Sequence, residues 1–167
     1  MKKVYIGGGM FSDKEVDARL KDEEFMKKLL PNAKIYNPIN NKEVNDKTKK
    51  PTAKDIFLQD TKKVIESDII TADLDDNDEG LAMELGIAYG INYMIDVMKS
   101  CNSKSDIIDK LRFIPKKTVI ATMNDIRQDT KGEEGIHKSY GKNQYVVGGV
   151  QEMGKIVRHR EDINKGR

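Results

Sequence analysis

The sequence predicts an α/β fold in which a parallel sheet is covered by helices on both faces. Short β-branched or aromatic runs alternate with longer segments of helical periodicity along the 167 residues. Such alternation is typical of βαβ units with right-handed crossovers. No internal repeat, low-complexity tract or linker divides the chain. We therefore expect one domain over residues 1–158 and a charged tail over 159–167.

The first βα unit has the clearest pattern. Residues 3–6 are a short apolar run that ends at three consecutive glycines, Gly7 to Gly9, as expected of a buried strand that enters a tight loop. Ser12 and Glu15 then have the spacing of a capping box, so we expect a helix from there until Pro31.

The middle of the chain continues the alternation. An apolar run at 34–36 predicts a second strand, and the polar stretch 40–51, rich in lysine and asparagine, predicts a long, mobile loop. Helical periodicity over 55–67 predicts a helix, and the apolar run at 68–74 predicts a third, buried strand.

The second half begins with an acidic turn at 75–80, followed by a helix over 81–92 whose apolar residues predict that it is largely buried. Residues 94–111 fit either a broken continuation of that helix or a short strand before a helix near 105–112. The remaining segments are a strand at 118–122, a polar connection at 124–142 and a last apolar element at 145–150.

The composition excludes a protein whose main task is to grip nucleic-acid phosphates. Lys and Arg total 30 against 28 acidic residues, and the resulting charge of +2 is too balanced for that role. Aromatic residues make up only 6% of the chain, and Trp is absent. The core is therefore expected to be thin, which favours burial through contacts between subunits.

Metal and membrane sites are also disfavoured. Cys101 is the single cysteine, and with only His137 and His159 it cannot build a zinc site of the Cys/His type. No apolar run approaches the roughly 20 residues that span a bilayer, and the first residues lack a signal-peptide core. We expect a cytoplasmic protein that has no metal, no membrane contact and no nucleic-acid partner.

Three features fall at the carboxyl ends of predicted strands, where parallel sheets bind ligands. They are the glycines 7–9, the acidic turn 75–80 and the helix start at Gly80. Consecutive glycines let a ligand approach the backbone, but Ser12 replaces the third glycine of the dinucleotide pattern and no Walker A lysine follows. A NAD or ATP site is disfavoured, and a plain turn explains the glycines equally well.

Carboxylates are the candidate chemical groups. Glu84 lies in the apolar, small-residue segment 80–86, about one turn inside a helix, where the helix dipole is expected to keep it ionised as a nucleophile. Asp60 and Asp78 can project toward the same cleft. Carboxylates that share a pocket split their pKa values, so one can attack a sugar while another holds a proton, as glycosyl transfer requires.

Plainer explanations exist for each of these three residues. Glu84 could be a half-exposed helix residue, and Asp78 could belong to a solvated acidic turn. Asp60 could be an exposed helix residue paired with Lys63 or Lys54.

Three motifs together resemble the nucleoside 2-deoxyribosyltransferase family. They are V-Y-I-G-G-G-M-F at 4–11, F-L-Q-D at 57–60 and D-E-G-L-A-M-E-L-G at 78–86, in matching order and spacing. The resemblance covers residues 4–92 and, more loosely, the second half. It implies a flavodoxin-like (Rossmann-like) three-layer α/β sandwich without a cofactor. It also implies a homo-oligomer in which a neighbouring subunit completes each active site.

The resemblance implies catalytic roles for four residues. Glu84 matches the family's nucleophile, which takes the deoxyribose as a covalent ester, and Tyr5 matches the tyrosine whose hydroxyl orients that carboxylate. Asp60 and Asp78 match the aspartates that bind the nucleobase and protonate it, which makes the base a competent leaving group.

The resemblance also implies residues that bind the substrate. Gly7 and Gly9 lie in the glycine loop, and Phe11 matches an aromatic wall that suits a planar base. Asn41 is the nearest counterpart of a base-contacting glutamine, which otherwise has no clear match. Asn143 is the candidate for an asparagine that reaches the sugar 5′-hydroxyl from another subunit.

We therefore expect an enzyme of nucleoside salvage that transfers 2-deoxyribose between nucleobases by double displacement. Its partners would be small deoxynucleosides and free bases. One alternative is an N-glycosidase that hydrolyses deoxynucleosides or deoxynucleoside monophosphates, although the glycine loop lacks the Ser and Arg of related phosphate-handling enzymes. A second alternative is a nucleoside- or nucleotide-binding module without turnover.

Overall fold

The computed structural model describes residues 1–45, 51–74, 77–112, 114–122, 142–159 and 162. Its strands are β1 (Lys3–Gly7), β2 (Lys34–Tyr36), β3 (Ile69–Ala72), β4 (Val119–Thr122) and β5 (Gly154–Val157). Its α-helices are α1 (Asp13–Leu29), α2 (Lys42–Asn45), α3 (Ala53–Glu66), α4 (Glu79–Lys99), α5 (Lys104–Arg112) and α6 (Gln144–Met153), and a 3-10 turn spans Pro38–Asn40.

All the strand pairs in this part of the chain are parallel. β1 lies between β2 and β3 in a three-stranded sheet, and β4 pairs with β5 in a second ladder. Parallel neighbours require crossover connections. Helix α1 connects β1 to its neighbour β2, and α3 leads from β2 across β1 to β3 on its other side. The predicted α/β class is confirmed. The strands form two separate hydrogen-bonded sheets, one with three strands and one with two.

Helices cover both faces of the three-stranded sheet because side chains alternate along β1. Val4 and Ile6 point to one face and form a buried cluster with Met26 of α1. Tyr5 points to the opposite face, where it is 0% exposed and reaches Glu84 of α4. One face of β1 therefore builds the core, and the other face builds the site.

Side-chain caps determine where the helices begin. The predicted capping box of Ser12 and Glu15 starts α1. A second capping box, formed by Thr52 and Asp55, starts α3 at Ala53, slightly earlier than the apolar periodicity indicated. Asp78 caps α4 by accepting hydrogen bonds from two backbone amides.

The expectation of a long loop over 40–51 is wrong for its first part, since α2 forms at Lys42–Asn45. Asparagine side chains stabilise this short helix. The Asn41 side-chain oxygen accepts a hydrogen bond from the Glu43 amide at 3.1 Å. The Asn45 side chain donates to the carbonyls of Pro38 and Ile39, each at 2.8 Å. Residues 46–50 lie outside the described part of the chain.

The fourth helix is longer and more exposed than the sequence indicated. It continues to Lys99 and is followed by α5, which decides between the two alternatives for 94–111 in favour of a broken helix. The expectation that 81–92 is largely buried is wrong. The buried residues of α4 are Gly80, Leu81 and Glu84, whereas Tyr89 is 72% exposed, because the apolar residues of this helix are spread around it and not confined to one face.

The C-terminal elements were only partly predicted. The apolar run at 145–150 forms most of α6, and β5 follows it directly although no strand was expected there. Its sequence G-K-I-V is short and carries a charge, so pairing with β4 creates the strand where local propensity does not. Of the polar connection at 124–142, only Lys142 is described, and most of the predicted tail also lies outside the described residues.

Close packing of α6 against α3 brings the second half of the chain onto the first. A Cβ atom at Gly148 would lie 2.0 Å from the Ala53 carbonyl oxygen, so the two backbones touch where a side chain cannot fit. The ring of Tyr145 lies 5.1 Å from that of Phe57, and its hydroxyl is 2.8 Å from the Thr61 hydroxyl. This contact positions α6 beside the carboxyl end of β1.

Replacing Gly148 with alanine should therefore destabilise the fold. We expect Gly148→Ala to lower the free energy of unfolding by about 1–3 kcal/mol, since the added methyl group is forced against backbone. The matched control is Gly90→Ala in α4, where nothing lies within 4 Å of the new methyl group and stability should rise by at most about 1 kcal/mol. Urea denaturation measures both, and equal destabilisation of the two variants would refute the packing argument.

Candidate active site

A cavity of about 440 Å³ opens at the carboxyl end of β1. It is lined by residues from β1, the glycine loop, α3, α4 and α6, among them Tyr5, Gly7, Gly8, Phe11, Asp60, Asp78, Glu84, Asn143 and Tyr145. A second cavity of about 370 Å³ adjoins it and shares Phe11, Asp78 and Asn143. The structure thus brings the three candidate carboxylates to one cavity at the strand ends.

Glu84 lies in the second turn of α4, and its side chain lines the cavity. The residue is 8% exposed, which excludes the half-exposed surface alternative. The Tyr5 hydroxyl donates a hydrogen bond to Oε1 of Glu84 at 2.5 Å. Because Tyr5 is fixed in β1, this bond sets the orientation of the carboxyl.

Burial raises the pKa of Glu84 to about 8. The hydrogen bond from Tyr5 lowers that pKa, whereas the nearby charges of Asp60 and Asp78 raise it. The helix dipole was expected to keep Glu84 ionised, whereas burial shifts its pKa in the opposite direction. Burial also raises the pKa of Tyr5, together with the charges of Glu84 and Asp60, so its hydroxyl remains a donor.

Asp60 lies in the middle of α3 and is 6% exposed, so the exposed, lysine-paired alternative is also excluded. The Tyr36 hydroxyl donates a hydrogen bond to its Oδ1 at 2.7 Å. Burial raises the pKa of Asp60, and the hydrogen bond from Tyr36 and the nearby Asn41 amide lower it. Lys63 instead lies over the Tyr36 ring, 5.6 Å from its centroid.

Asp78 combines a place in the cavity wall with a structural task. Its carboxylate accepts hydrogen bonds from the amides of Gly80 at 2.9 Å and Leu81 at 3.3 Å, which caps α4. Oδ1 also accepts a hydrogen bond from the Asn143 side chain at 2.9 Å. Asp78 therefore fixes the start of the helix that carries Glu84.

Asn143 belongs to the cavity of its own chain. Its side-chain oxygen accepts a hydrogen bond from the Tyr145 amide at 2.9 Å and so caps α6, while its side-chain nitrogen reaches Asp78. In the single chain Asn143 lies at its own cavity, and the expectation that it reaches the sugar from another subunit stays a prediction. The tight contact between α6 and α3 brings this residue back to its own site.

The glycine loop permits a close approach of the backbone. Gly8 has a φ of +146°, and a Cβ there would lie 1.6 Å from the Arg19 guanidinium, so only glycine fits. Gly7 and Gly8 line the cavity, whereas Gly9 is buried and is not part of its wall. Phe11 stands at the rim and is 73% exposed, in a position open to a planar ligand.

Asn41 lies behind the cavity wall. Its side-chain nitrogen donates hydrogen bonds to the Tyr36 hydroxyl at 2.9 Å and to Oε1 of Gln59 at 3.3 Å. It thus reaches Asp60 through Tyr36 and does not line the cavity where a base would bind. Sequence reasoning missed Tyr36, Gly8 and Tyr145 as site residues. The sequence offered one signal for Tyr36: both β1 and β2 carry a tyrosine at their third residue, and the two tyrosines are partners in the parallel ladder.

The fold and the cavity define an α/β protein with a carboxylate-lined site for a small molecule. A family model described as Nucleoside 2-deoxyribosyltransferase matches residues 4–138. The chain therefore belongs to the nucleoside 2-deoxyribosyltransferase family, which confirms the resemblance carried by its three motifs. The matched region includes Tyr5, Asp60, Asp78 and Glu84.

Comparison with solved structures finds a similarity to a conserved protein from Enterococcus faecalis V583. The two chains are 26% identical with a TM-score of 0.48, and the match covers 98% of this chain and 94% of that chain. Comparison with curated proteins finds no match. In the described parts of the chain, none of the helices has the length and hydropathy needed to cross a bilayer.

The raised pKa of Glu84 makes stability depend on pH. Because this pKa is about 8 in the folded protein and ordinarily 4.5, the folded state binds more protons between these values. Stability should therefore fall as pH rises through this range, and Asp60 contributes in the same direction. In Glu84→Gln this fall should be smaller by roughly 2–4 kcal/mol.

Thermal unfolding from about pH 5 to pH 9 measures this effect. Glu24→Gln, at an exposed position of α1, is the matched control and should follow the wild-type curve. Parallel curves for wild type and Glu84→Gln would show that the Glu84 carboxyl is not held in its protonated form by burial.

Proposed function

We propose that the protein transfers 2-deoxyribose from a deoxynucleoside to a free nucleobase, through a covalent deoxyribosyl ester of Glu84. The observation that carries this proposal is the buried Glu84 carboxyl, held at 2.5 Å by Tyr5 in the same cavity as Asp60. Membership of the family supports the general activity. Nucleoside salvage in the cytoplasm is the proposed setting, and the chain's own groups perform the chemistry.

In the first half-reaction, an oxygen of ionised Glu84 attacks C1′ of the deoxyribose. The bond between C1′ and the base nitrogen breaks, its electron pair goes to that nitrogen, and Asp60 supplies the proton that neutralises the departing base. In the second half-reaction, an acceptor base attacks C1′, the ester bond breaks, and the proton of the incoming base returns to Asp60. Two displacements give net retention at C1′.

The electrostatics of the cavity hold a proton on this pair of acids, and the reactive state is the one in which Asp60 carries it. Burial raises the pKa of both Glu84 and Asp60, and the charge of Asp60 opposes ionisation of Glu84. The pair therefore favours a state in which it holds a single proton. When that proton is on Asp60, Glu84 is free to attack and Asp60 is ready to protonate the base.

The charge around the second cavity favours nucleosides over deoxynucleoside monophosphates. Its wall carries the acidic side chains of Glu15, Asp78 and Glu79, and Lys142 is the cationic side chain there among the described residues. A 5′-phosphate placed beside three carboxylates would be repelled. A neutral 5′-hydroxyl meets no such repulsion and can use the polar groups of Asn143 and Asp78.

We further propose that the protein works as a homo-oligomer. Several large apolar side chains of the fourth and fifth helices are exposed in the single chain, namely Tyr89, Tyr93, Met98, Ile108 and Leu111. The rings of Tyr89 and Tyr93 are stacked with centroids 6.5 Å apart, which gives α4 a flat aromatic surface. Exposed large apolar side chains in such number favour a subunit interface.

The transfer activity can be tested with deoxyinosine in the presence and absence of adenine. We expect deoxyadenosine to form only when adenine is present, and Glu84→Ala to reduce its rate by more than about 10³-fold while remaining folded. Glu24→Ala is the control for loss of a carboxylate elsewhere. Chromatography follows the products.

The other outcomes identify the alternatives. Free hypoxanthine and deoxyribose formed equally with and without adenine would make the protein a hydrolase. No turnover of deoxynucleosides or of their monophosphates would leave a binding module. Full activity of Glu84→Ala would remove this residue from the mechanism.

The proton-donor role of Asp60 predicts a dependence on the leaving group. Asp60→Asn should lower kcat for deoxyinosine by about 10²-fold with a small effect on KM. The same variant should act nearly normally on 7-methyl-2′-deoxyguanosine, whose cationic base departs without a further proton. Equal losses on the two substrates would assign Asp60 to binding or folding.

A further inference from the structure

Two neighbouring tyrosines donate hydrogen bonds to two carboxylates of the cavity. Tyr5 and Tyr36 are Cα partners in the parallel ladder of β1 and β2, and their rings stack with centroids 5.6 Å apart and planes at 28°. Tyr5 donates to Glu84 at 2.5 Å, and Tyr36 donates to Asp60 at 2.7 Å. Each buried carboxylate is thus held by its own phenol, and each phenol is fixed in a strand.

Asn41 determines where the Tyr36 proton points. The side-chain nitrogen of Asn41 donates to the Tyr36 hydroxyl at 2.9 Å, and its oxygen accepts from the Glu43 amide at 3.1 Å, which orients the amide group. A phenol has one proton and can accept with its lone pairs. Because Asn41 occupies a lone pair of that oxygen, the Tyr36 proton is left for Asp60.

This arrangement gives the two oxygens of the Asp60 carboxyl different roles. Tyr36 donates to Oδ1, so Oδ2 is the oxygen that can carry a proton to a ligand in the cavity. The hydrogen bond lowers the pKa of Asp60 against the effect of burial. Burial and the charge of Asp60 raise the pKa of Tyr36, so the phenol retains its own proton.

We propose that Tyr36, oriented by Asn41, is a positioning residue that holds Oδ1 of Asp60 and so aims Oδ2 at the nucleobase during proton transfer. The proposal rests on the proposed function of the same cavity. It assigns Asn41 to the support of a catalytic carboxyl, where the sequence indicated direct contact with the base.

The pKa of Asp60 also depends on the titratable and charged groups around it. An informative substitution must therefore remove the hydrogen bond and keep those groups. The titratable and charged groups that face Asp60 or its hydroxyl donor are Tyr5 on β1, Tyr36 on β2, Lys63 on α3, Glu84 on α4 and Tyr145 on α6. Of these, Tyr36 makes the hydrogen bond to the Asp60 carboxyl. Removing that hydroxyl changes the bond and retains every charge in the set.

Tyr36→Phe is the direct test, since it retains the ring stacked on Tyr5. The Asp60 carboxyl can be titrated by NMR in protein labelled with ¹³C at aspartate carboxyls, with Asp60→Asn to assign its signal. We expect the pKa of Asp60 to rise by about one pH unit in Tyr36→Phe. Tyr89→Phe, the same chemical change outside the cavity, should leave it unchanged, and an unchanged pKa in Tyr36→Phe would overturn the proposal.

Kinetics give a second readout. Tyr36→Phe should lower kcat for deoxyinosine about tenfold with KM within about twofold, and should act nearly normally on 7-methyl-2′-deoxyguanosine. Wild-type kcat in this variant would also overturn the proposal. If the wild type transfers no deoxyribose at all, the proposed function fails, while the NMR titration still decides whether Tyr36 holds Asp60.

Asn41→Asp tests the direction of the hydrogen bond without altering Tyr36. The new carboxylate keeps an oxygen for the Glu43 amide but accepts the phenol proton that Asp60 now receives. We expect kcat to fall at least as far as in Tyr36→Phe, and Asn41→Ala to fall less. A kcat equal to that of the wild type in Tyr36→Phe, Asn41→Asp and Asn41→Ala would show that these hydrogen bonds do not position Asp60.

Discussion

The burial of the Glu84 carboxyl against the Tyr5 hydroxyl is the constraint on which the rest of the site depends. A carboxylate in this position loses its hydration, and only a fixed donor can compensate, so the site requires a buried strand that carries a tyrosine. Gly7 is required beside this carboxyl, since a Cβ there would lie 2.9 Å from the Thr71 carbonyl oxygen and 3.3 Å from Oε2 of Glu84. Asp78 completes the arrangement by fixing the start of the helix that carries Glu84.

The parallel register of β1 and β2 provides a tyrosine donor for a second carboxylate. It places Tyr36 beside Tyr5, so that Asp60 receives a phenol donor of its own. Two acids held in this way share one cavity and resist carrying two negative charges together. Double displacement needs that property, because one acid must attack while the other holds a proton.

The sequence predicted the parts of this structure that depend on local patterns. Strand runs, the capping box at Ser12 and the positions of Glu84, Asp60 and Asp78 at strand ends follow from spacing and topology. The raised pKa of Glu84 could not be predicted, because the burial that causes it depends on the tertiary fold. The role of Tyr36 was hidden for the same reason, since it depends on the register between strands that are far apart in sequence.

The most direct test of the account is the intact mass of the protein after incubation with deoxyinosine and a rapid acid quench. The account predicts a fraction of the chain heavier by one deoxyribosyl group, with the added mass on the peptide that contains Glu84 and absent from Glu84→Gln. Turnover of deoxyinosine with no such species, or an adduct that persists in Glu84→Gln, would contradict a covalent intermediate at this residue.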